Sequence, residues 1–380
     1  MILTKVKNSE LPKKAEEAVR ALFISDVHLL HRRTPTHVIV DNLRRMLTPE
    51  LLTSIDALYI LGDLWDDSRH LRQEDTQTAL DFVMELVQLS KQFNFGLRVV
   101  EGTPSHDHNQ SRIITTMNKA VGGDVVYLEE IGIFRDERLN MNIGYVKDEY
   151  KNTAAETEAE MKEIMKTHGL SQVDFFAMHG CFTFQLPVFK PESFNERFWC
   201  PRAKYGIFIG HDHRPKLNGK IRVTGTPDRL SQGEEEDKGI TVVDFVDNKA
   251  HAYFVVNERA VPYITVRGFD NDDELYAECL RKLKYIDEHP TGKYGRLNIE
   301  HRHDSSIPES IRRWVKEYQF LIQGNKLPDP NKEMELQLAF DEDKTSETIT
   351  EDNIHALIFE ELGETLIDKA MATEILDKVA

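Results

Sequence analysis

Short apolar, β-branched runs alternate with polar stretches over roughly the first 255 residues of the chain. The runs Ala21–Ser25 (ALFIS), Ala57–Leu61 (ALYIL), Leu97–Val100 (LRVV), Val173–Ala177 (VDFFA) and Tyr205–Ile209 (YGIFI) read as strands. Between the second and third, Leu80, Phe82, Val83, Leu86, Val87 and Leu89 recur at helical spacing, which predicts a helix over Asp75–Phe93. Strand, helix, strand in this order predicts an α/β layered core. After Gly225 the texture shifts, and GITVVDF and HAYFVV, joined by VDNKA, predict a hairpin.

A second, smaller unit opens near Val261 with the strand PYITV. Helices are expected there over Asp272–Asp287 and Pro308–Leu321, the latter started by Ser305 or Ser306 ahead of Pro308. With room for another short strand, this makes a small α+β domain. Residues 326–351 are polar and acidic and read as a linker. Beyond it, Ile354, Leu357, Ile358 and Leu362 share one helical face, and Leu366 to Val379 suggest a second short helix. Amphipathic helices outside both domains need something to bury against. The expected division is therefore 1–257, 258–325, 326–351 and 352–380.

Charge changes the picture less than its sum suggests. The 380 residues carry a net −17, yet residues 331–380 alone hold 14 acidic and 4 basic side chains, a net of −10, leaving −7 on the rest. The acidity is mostly a tail property, and the body is free to present a basic groove. No apolar run approaches the roughly 18 residues of a spanning helix, and the N-terminus lacks the apolar centre of a secretory signal. Cys181, Cys200 and Cys279, odd in number and widely spaced, argue against a disulfide framework. A cytoplasmic protein without membrane contact is expected.

The candidate chemistry follows the strands. ALFIS is followed by Asp26-Val-His28, ALYIL by Gly62-Asp63-Leu-Trp-Asp66, and LRVV by a segment holding Ser105-His106-Asp107-His108. VDFFA is followed by Met-His179-Gly and YGIFI by Gly210-His211-Asp212-His213. Ligands of open α/β sheets bind at the carboxyl ends of the strands, so five such ends delivering Asp and His form one site. Carboxylate plus imidazole without thiolate suits Mn²⁺, Fe or Zn²⁺ better than Ca²⁺ or Mg²⁺. Asp26, His28, Asp63, His179, His211 and His213 exceed what one tetrahedral ion with an open position takes. Two ions sharing a carboxylate use them all, and such pairs clamp a phosphoryl centre. Phosphoester hydrolysis without a protein nucleophile is expected. Arg32 and Arg33 beside the first loop and Arg214 beside the last are candidate contacts to phosphates. His31, His37 and His108 are further candidates for substrate contact, whereas HRHD at 301–304 lacks a strand context and reads as surface.

DxH, GDxxD, His-Asp, a lone His and GHxH, in this order, resemble the calcineurin-like metallophosphoesterases over residues 20 to 255. Within that family, Val223-Thr-Gly225-Thr-Pro-Asp-Arg229-Leu-Ser231 with Glu235, Glu236 and Lys238-Gly239 is similar to SbcD-type DNA repair nucleases, which work with an SMC-like ATPase. The resemblance implies a layered sandwich, a small α+β DNA-capping domain and C-terminal helices. It implies two divalent ions, with Mn²⁺ expected: Asp26, His28 and His213 on the first, His179 and His211 on the second, and Asp63 between them. His106 is the implied catalytic histidine and Asp107 the residue that orients it. The family's GNHD or GNHE becomes GTPSHD here, which puts Ser105 where an Asn ligand of the second ion is expected. The implied partners are DNA, touched by Arg32, Arg33, Arg214 and Arg229, an SMC-like ABC ATPase docked on the terminal helices, and a second copy of the chain. The implied activity is exo- or endonucleolytic, in DNA repair or recombination. A metallophosphoesterase acting on another phosphoester and a non-catalytic scaffold are the competing readings.

Overall fold

The computed structural model describes residues 3–66, 73–185 and 190–328. The chain first lays down β1 (Leu3–Val6), β2 (Val19–Ile24), β3 (Ala57–Leu61), β4 (Gly96–Val100) and β5 (Val125–Leu128). A second sheet follows from β6 (Ile131–Asp136), β7 (Met141–Val146), β8 (Val173–His179), β9 (Ala203–Gly210), β10 (Lys216–Asn218) and β11 (Ile221–Val223). Then β12 (Gly239–Val246) and β13 (Lys249–Val256) return to the first sheet, whose order is β1-β13-β12-β2-β3-β4-β5. The second sheet runs β10-β11-β9-β8-β7-β6. Strands β2 to β5 are mutually parallel, as are β7, β8, β9 and β11, so each sheet presents one set of carboxyl ends.

The period-two alternation of each strand divides its side chains between two cores. Leu22 and Ile24 of β2 face the helical layer over the first sheet, while Ala21 and Phe23 face the second sheet. Between the sheets the Phe23 and Phe208 rings stack with centroids 4.0 Å apart, and Phe175 meets both edge-on. Helices over Thr36–Met46, Pro49–Ser54, Gln73–Phe93 and Ile113–Val121 cover the first sheet, and Ala154–Thr167 covers the second. The architecture is an α/β sandwich of helix, sheet, sheet and helix layers. The expected hairpin is β12–β13, turned by Asp247 and Asn248, both with positive φ. Two such residues make the primed turn that suits the strand twist.

The smaller α+β unit has a sheet ordered β14 (Tyr263–Val266), β15 (Arg296–His301), β16 (Leu321–Lys326). Helices Asp272–Glu288 and Ile307–Glu317 close its own core around Leu275, Leu283, Ile299 and Trp314. The second helix ends four residues before the expected stop, because Leu321 belongs to β16. Of the two serines expected to start that helix, Ser306 bonds its hydroxyl to Asp272 at 2.8 Å, while Ser305 Oγ accepts from the amide of Ile307, the helix's first residue, at 3.2 Å. His301, expected at the surface, is a buried residue of β15.

The chain divides into two compact units, residues 1–301 with 305–325, and residues 302–304 with 326–380. The small α+β segment thus shares a unit with the sandwich, joined through Thr34 to the Tyr263 hydroxyl at 2.9 Å and His37 to the Tyr294 hydroxyl at 2.7 Å. The linker expected beyond residue 328 and the helices expected over 352–380 lie outside the described residues. Among the described residues, no helix is long and apolar enough to cross a membrane.

Candidate metal centre

The carboxyl ends of β2, β3, β8 and β9 converge as the strand pattern requires. Four of the residues placed there adopt left-handed backbone without being glycine: Asp26 (φ 51°), His28 (φ 49°), Asp63 (φ 47°) and His211 (φ 93°). Each such residue stores on the order of 1–3 kcal/mol, which the surrounding sandwich must offset. The close approach also fixes glycine at Gly62, where φ is +76° and a Cβ would overlap the His179 ring.

Three groups of ligand atoms result among the described residues: Asp26, His28 and His213 in the first, Asp63, His179 and His211 in the second, and His28, Asp66 and His106 in a third that shares His28 with the first. All six expected ligands are therefore brought together. In the first group, His28 Nε2 and His213 Nε2 face each other 3.1 Å apart, with Asp26 Oδ1 3.9 Å from the latter. In the second, His179 Nε2 lies 3.2 Å from Asp63 Oδ2. That same Asp63 oxygen is 3.8 Å from His28 Nε2, so one carboxylate stands between the groups.

The imidazoles are turned so that their free lone pairs point inward. His179 Nδ1 is 2.6 Å from the Leu61 carbonyl and His213 Nδ1 is 2.9 Å from Glu234. Each partner accepts a proton from Nδ1 and leaves Nε2 bare. The 3.1 Å between His28 Nε2 and His213 Nε2 suits an N–H···N hydrogen bond as well as two nitrogens on one shared ion. Facing ring nitrogens with carboxylate oxygens beside them make a donor set that could hold a metal ion. Burial disfavours charge on His179, but the adjoining Asp63 carboxylate reverses this and raises its pKa well above the usual imidazole value. Asp63 is correspondingly held well below the usual carboxylate range, against the upward push of burial, by His179 and His28. A proton and a metal ion compete for the same place.

Two residues that the sequence reading missed lie against the second group. Thr103 Oγ1 lies 3.3 Å from both Asp63 Oδ2 and His179 Nε2 and 3.2 Å from His211 Nδ1 and Asp148 Oδ2. Asp148 Oδ2 is itself 3.1 Å from His211 Nδ1. Ser105 is exposed on the short helix Pro104–Asp107, and it is Thr103, directly after Gly102, that lies beside the second group. Asp148 follows β7, a strand whose sequence MNIGYV carries no strong apolar run, and this hid the sixth strand end.

The orientation of His106 also differs from expectation. Its Nδ1 meets Asp66 Oδ1 at 2.9 Å, and Asp66 also lies 3.4 Å from His28 Nδ1. Asp107 is fully buried and accepts from the Trp65 and Gly102 amides at 2.9 and 2.8 Å, which ties the loops together without touching His106. Burial, with Asp63 and Glu101 nearby, pushes the Asp107 pKa well above the usual carboxylate value. The hydrogen bond to Asp66 raises the His106 pKa. Asp66 was visible as the second aspartate of GDLWD, but only its distance to His106 gives it a role.

The GTPDRLS segment builds the wall behind His213. Thr226 Oγ1 donates to the Asp26 carbonyl at 2.9 Å, and Ser231 Oγ donates to Glu234 at 2.7 Å. Lys238, fully buried, bonds Glu234 at 2.9 Å and the His213 carbonyl at 2.9 Å. Arg229 spends its guanidinium on the carbonyls of Glu234, Glu236, Ala260 and Val261 at 2.8 to 3.4 Å, which is a clamp between loops and leaves little for a phosphate. Arg32 and Arg33 are exposed beside the first loop, while Arg214 is exposed but paired with Asp212 at 3.0 Å. His31 accepts from the Arg33 and Thr34 amides, and His108 is an exposed residue after the short helix.

No protein-family model and no curated protein matches the chain. Among solved structures, one titled only as a crystal structure aligns over 62% of this chain and 99% of its own, at 12% identity and a TM-score of 0.33.

Proposed function

We propose that the chain is a two-metal phosphodiesterase acting on DNA, the nuclease subunit of an SbcCD-like repair or recombination complex. The observation that carries this reading is Asp63, whose Oδ2 lies 3.2 Å from His179 Nε2 and 3.8 Å from His28 Nε2. A carboxylate between two sets of inward lone pairs is what a pair of adjacent divalent ions requires. When bound, such a pair supplies Lewis-acid activation of the phosphoryl centre and of the attacking water. Asp26, His28 and His213 would hold one ion, and His179, His211, Asp148 and Thr103 the other, with Asp63 shared. His106, half-buried at the mouth, keeps Nδ1 on Asp66 and has Nε2 for proton delivery to the departing sugar oxygen. The exposed Arg32 and Arg33 are placed to meet backbone phosphates. The ATPase partner and the pairing with a second copy rest on the sequence resemblance.

The test is Mn²⁺-dependent degradation of end-labelled linear duplex and single-stranded DNA by the wild type, His106→Ala and Asp63→Ala. Cleavage by the wild type that both substitutions abolish supports the reading. Absence of cleavage with Mn²⁺ and the cognate ATPase present, together with hydrolysis of a small phosphodiester, moves the function to another phosphoester. Binding without any turnover moves it to a scaffold.

A further inference from the structure

Among the described residues of the sandwich three arginines are buried, and two of them are paired. Arg20 meets Asp244 at 2.6 and 2.7 Å, and Arg98 meets Asp136 and Asp124 at 2.9 to 3.2 Å. Arg222 of β11 is different: it is fully buried, and its Nε, Nη1 and Nη2 have no hydrogen-bond partner among the described residues. Its one contact of note is the Phe254 ring, 6.0 Å from the guanidinium carbon. Burial lowers its pKa to about 10, which leaves it a cation at neutral pH. A buried cation without a counter-charge is strongly destabilising.

A cavity of about 540 Å³ lies next to it, lined by Lys204, Tyr205, Lys220, Lys249, His251 and Tyr253 among others, with no carboxylate in the lining. Alternate residues of a strand share a face. On β13 Ala252 lines the cavity and shares a face with Phe254, the ring beside Arg222, and Lys220, in the turn that leads into β11, lines it two residues ahead of Arg222. The nearest carboxylate in ion-pair contact with the lining is Asp174, at 4.0 Å from Lys204. Lys204 and Tyr205 stand at the start of β9, whereas His211 follows its end, so cavity and metal centre occupy opposite ends of a strand roughly 25 Å long.

We propose that this cleft is an anion site that takes a phosphate group, free or as a monoester, held by Lys204, Lys220 and Lys249 over the charge of Arg222. The size falls within the range of small-molecule sites, and the two tyrosines offer faces on which an ester's organic part can pack. The inference stands apart from the metal centre and from the nuclease reading.

The test is thermal unfolding of the full chain in a chelator, so that no ion bridges phosphate to the carboxylates at the other end. Inorganic phosphate, and separately thymidine monophosphate, are titrated against chloride at equal ionic strength. A saturable rise in Tm with either ligand and none with chloride is expected, and the tighter of the two identifies the source. Arg222→Met is expected to raise Tm in phosphate-free buffer, because it removes an unpaired buried charge, and to erase the ligand-dependent rise. Lys204→Gln with Lys249→Gln, both at the exposed rim, keeps the fold and is expected to weaken the rise. An equal rise in wild type and in the lysine double variant, or an equal response to chloride, overturns the proposal.

Discussion

Asp66 holds His106: the carboxylate of the second strand-end loop and the ring of the third meet at 2.9 Å, across the mouth of the candidate metal centre. A ring fixed through Nδ1 presents Nε2 in one tautomer and one direction. Asp66→Asn is therefore expected to lower kcat for phosphodiester hydrolysis about 10- to 100-fold with KM little changed. Asp107→Asn is expected to act on stability instead, since its carboxylate bonds only backbone amides. Parallel kinetics and thermal melts on the two variants check this; equal kinetic losses without a stability change in Asp107→Asn would sink the assignment.

On the proposed reading, the second ion position would lean on a hydroxyl. Thr103→Val keeps the shape of the residue and removes the oxygen that lies within 3.3 Å of Asp63, His179, His211 and Asp148. The expected outcome is a fall in Mn²⁺ stoichiometry from two to one per chain at micromolar free metal, measured by titration calorimetry. Glu234→Gln is expected to weaken the other position by about 10-fold or more, because His213 loses the carboxylate that fixes its Nδ1 proton. Identical binding curves for all three proteins would contradict both roles.

Backbone strain and crowding meet at Gly62. An alanine there must adopt φ +76° and displace the His179 ring. Gly62→Ala is expected to cost at least about 2 kcal/mol of stability and to reduce metal loading. Denaturant melts with and without Mn²⁺ measure both.

Asp228 gives the fold a pH dependence away from the metal ligands. Buried completely, its carboxyl is pushed up from 3.8 to about 6, although the Asn42 side chain and the Val261 and Arg229 amides favour its anion. The folded chain thus holds this proton more tightly than the unfolded one. The sign follows: the contribution to stability is full below about pH 4, falls as pH rises to about 6 and is flat above, a loss of about 3 kcal/mol. Asp228→Asn is expected to remove that slope between pH 4 and 6 in chemical denaturation. A slope that persists unchanged places its origin elsewhere.

What the sequence made legible is what repeats or alternates. The five strands read from apolar runs all exist, Ala57–Leu61 with the expected bounds, and each delivers its polar residues to one end. The hairpin β12–β13 announced itself by two alternating runs around Asp247-Asn248. Asp148 escaped because β7 contains asparagine and glycine, so its apolar signal was weak. Thr103 escaped because the two extra residues between Gly102 and His106, relative to GNHD, drew attention to Ser105, whereas the hydroxyl that reaches Asp63 and His179 is the one next to the glycine. Asp107 and Asp66 exchanged places because adjacency in sequence says nothing about which carboxylate faces a ring across a loop. The partner of Arg222 is a question that strand periodicity cannot raise, since every residue of β11 is buried.

The return of the chain from the second sheet to the first governs how it can be made. In the finished sheet β2 is flanked by β3 and β12, with Phe23 opposite Thr241. While the ribosome is still adding residues before Gly239, one edge of β2 has no partner, and the apolar face shared with β12 stays open to water. Unpaired edges of this kind are where nascent chains associate wrongly. The sandwich therefore cannot mature stepwise from its amino end; it waits for its last hairpin, and C-terminal truncations that remove β12 should yield aggregates, whereas those that stop after β13 leave the sandwich with all its strands.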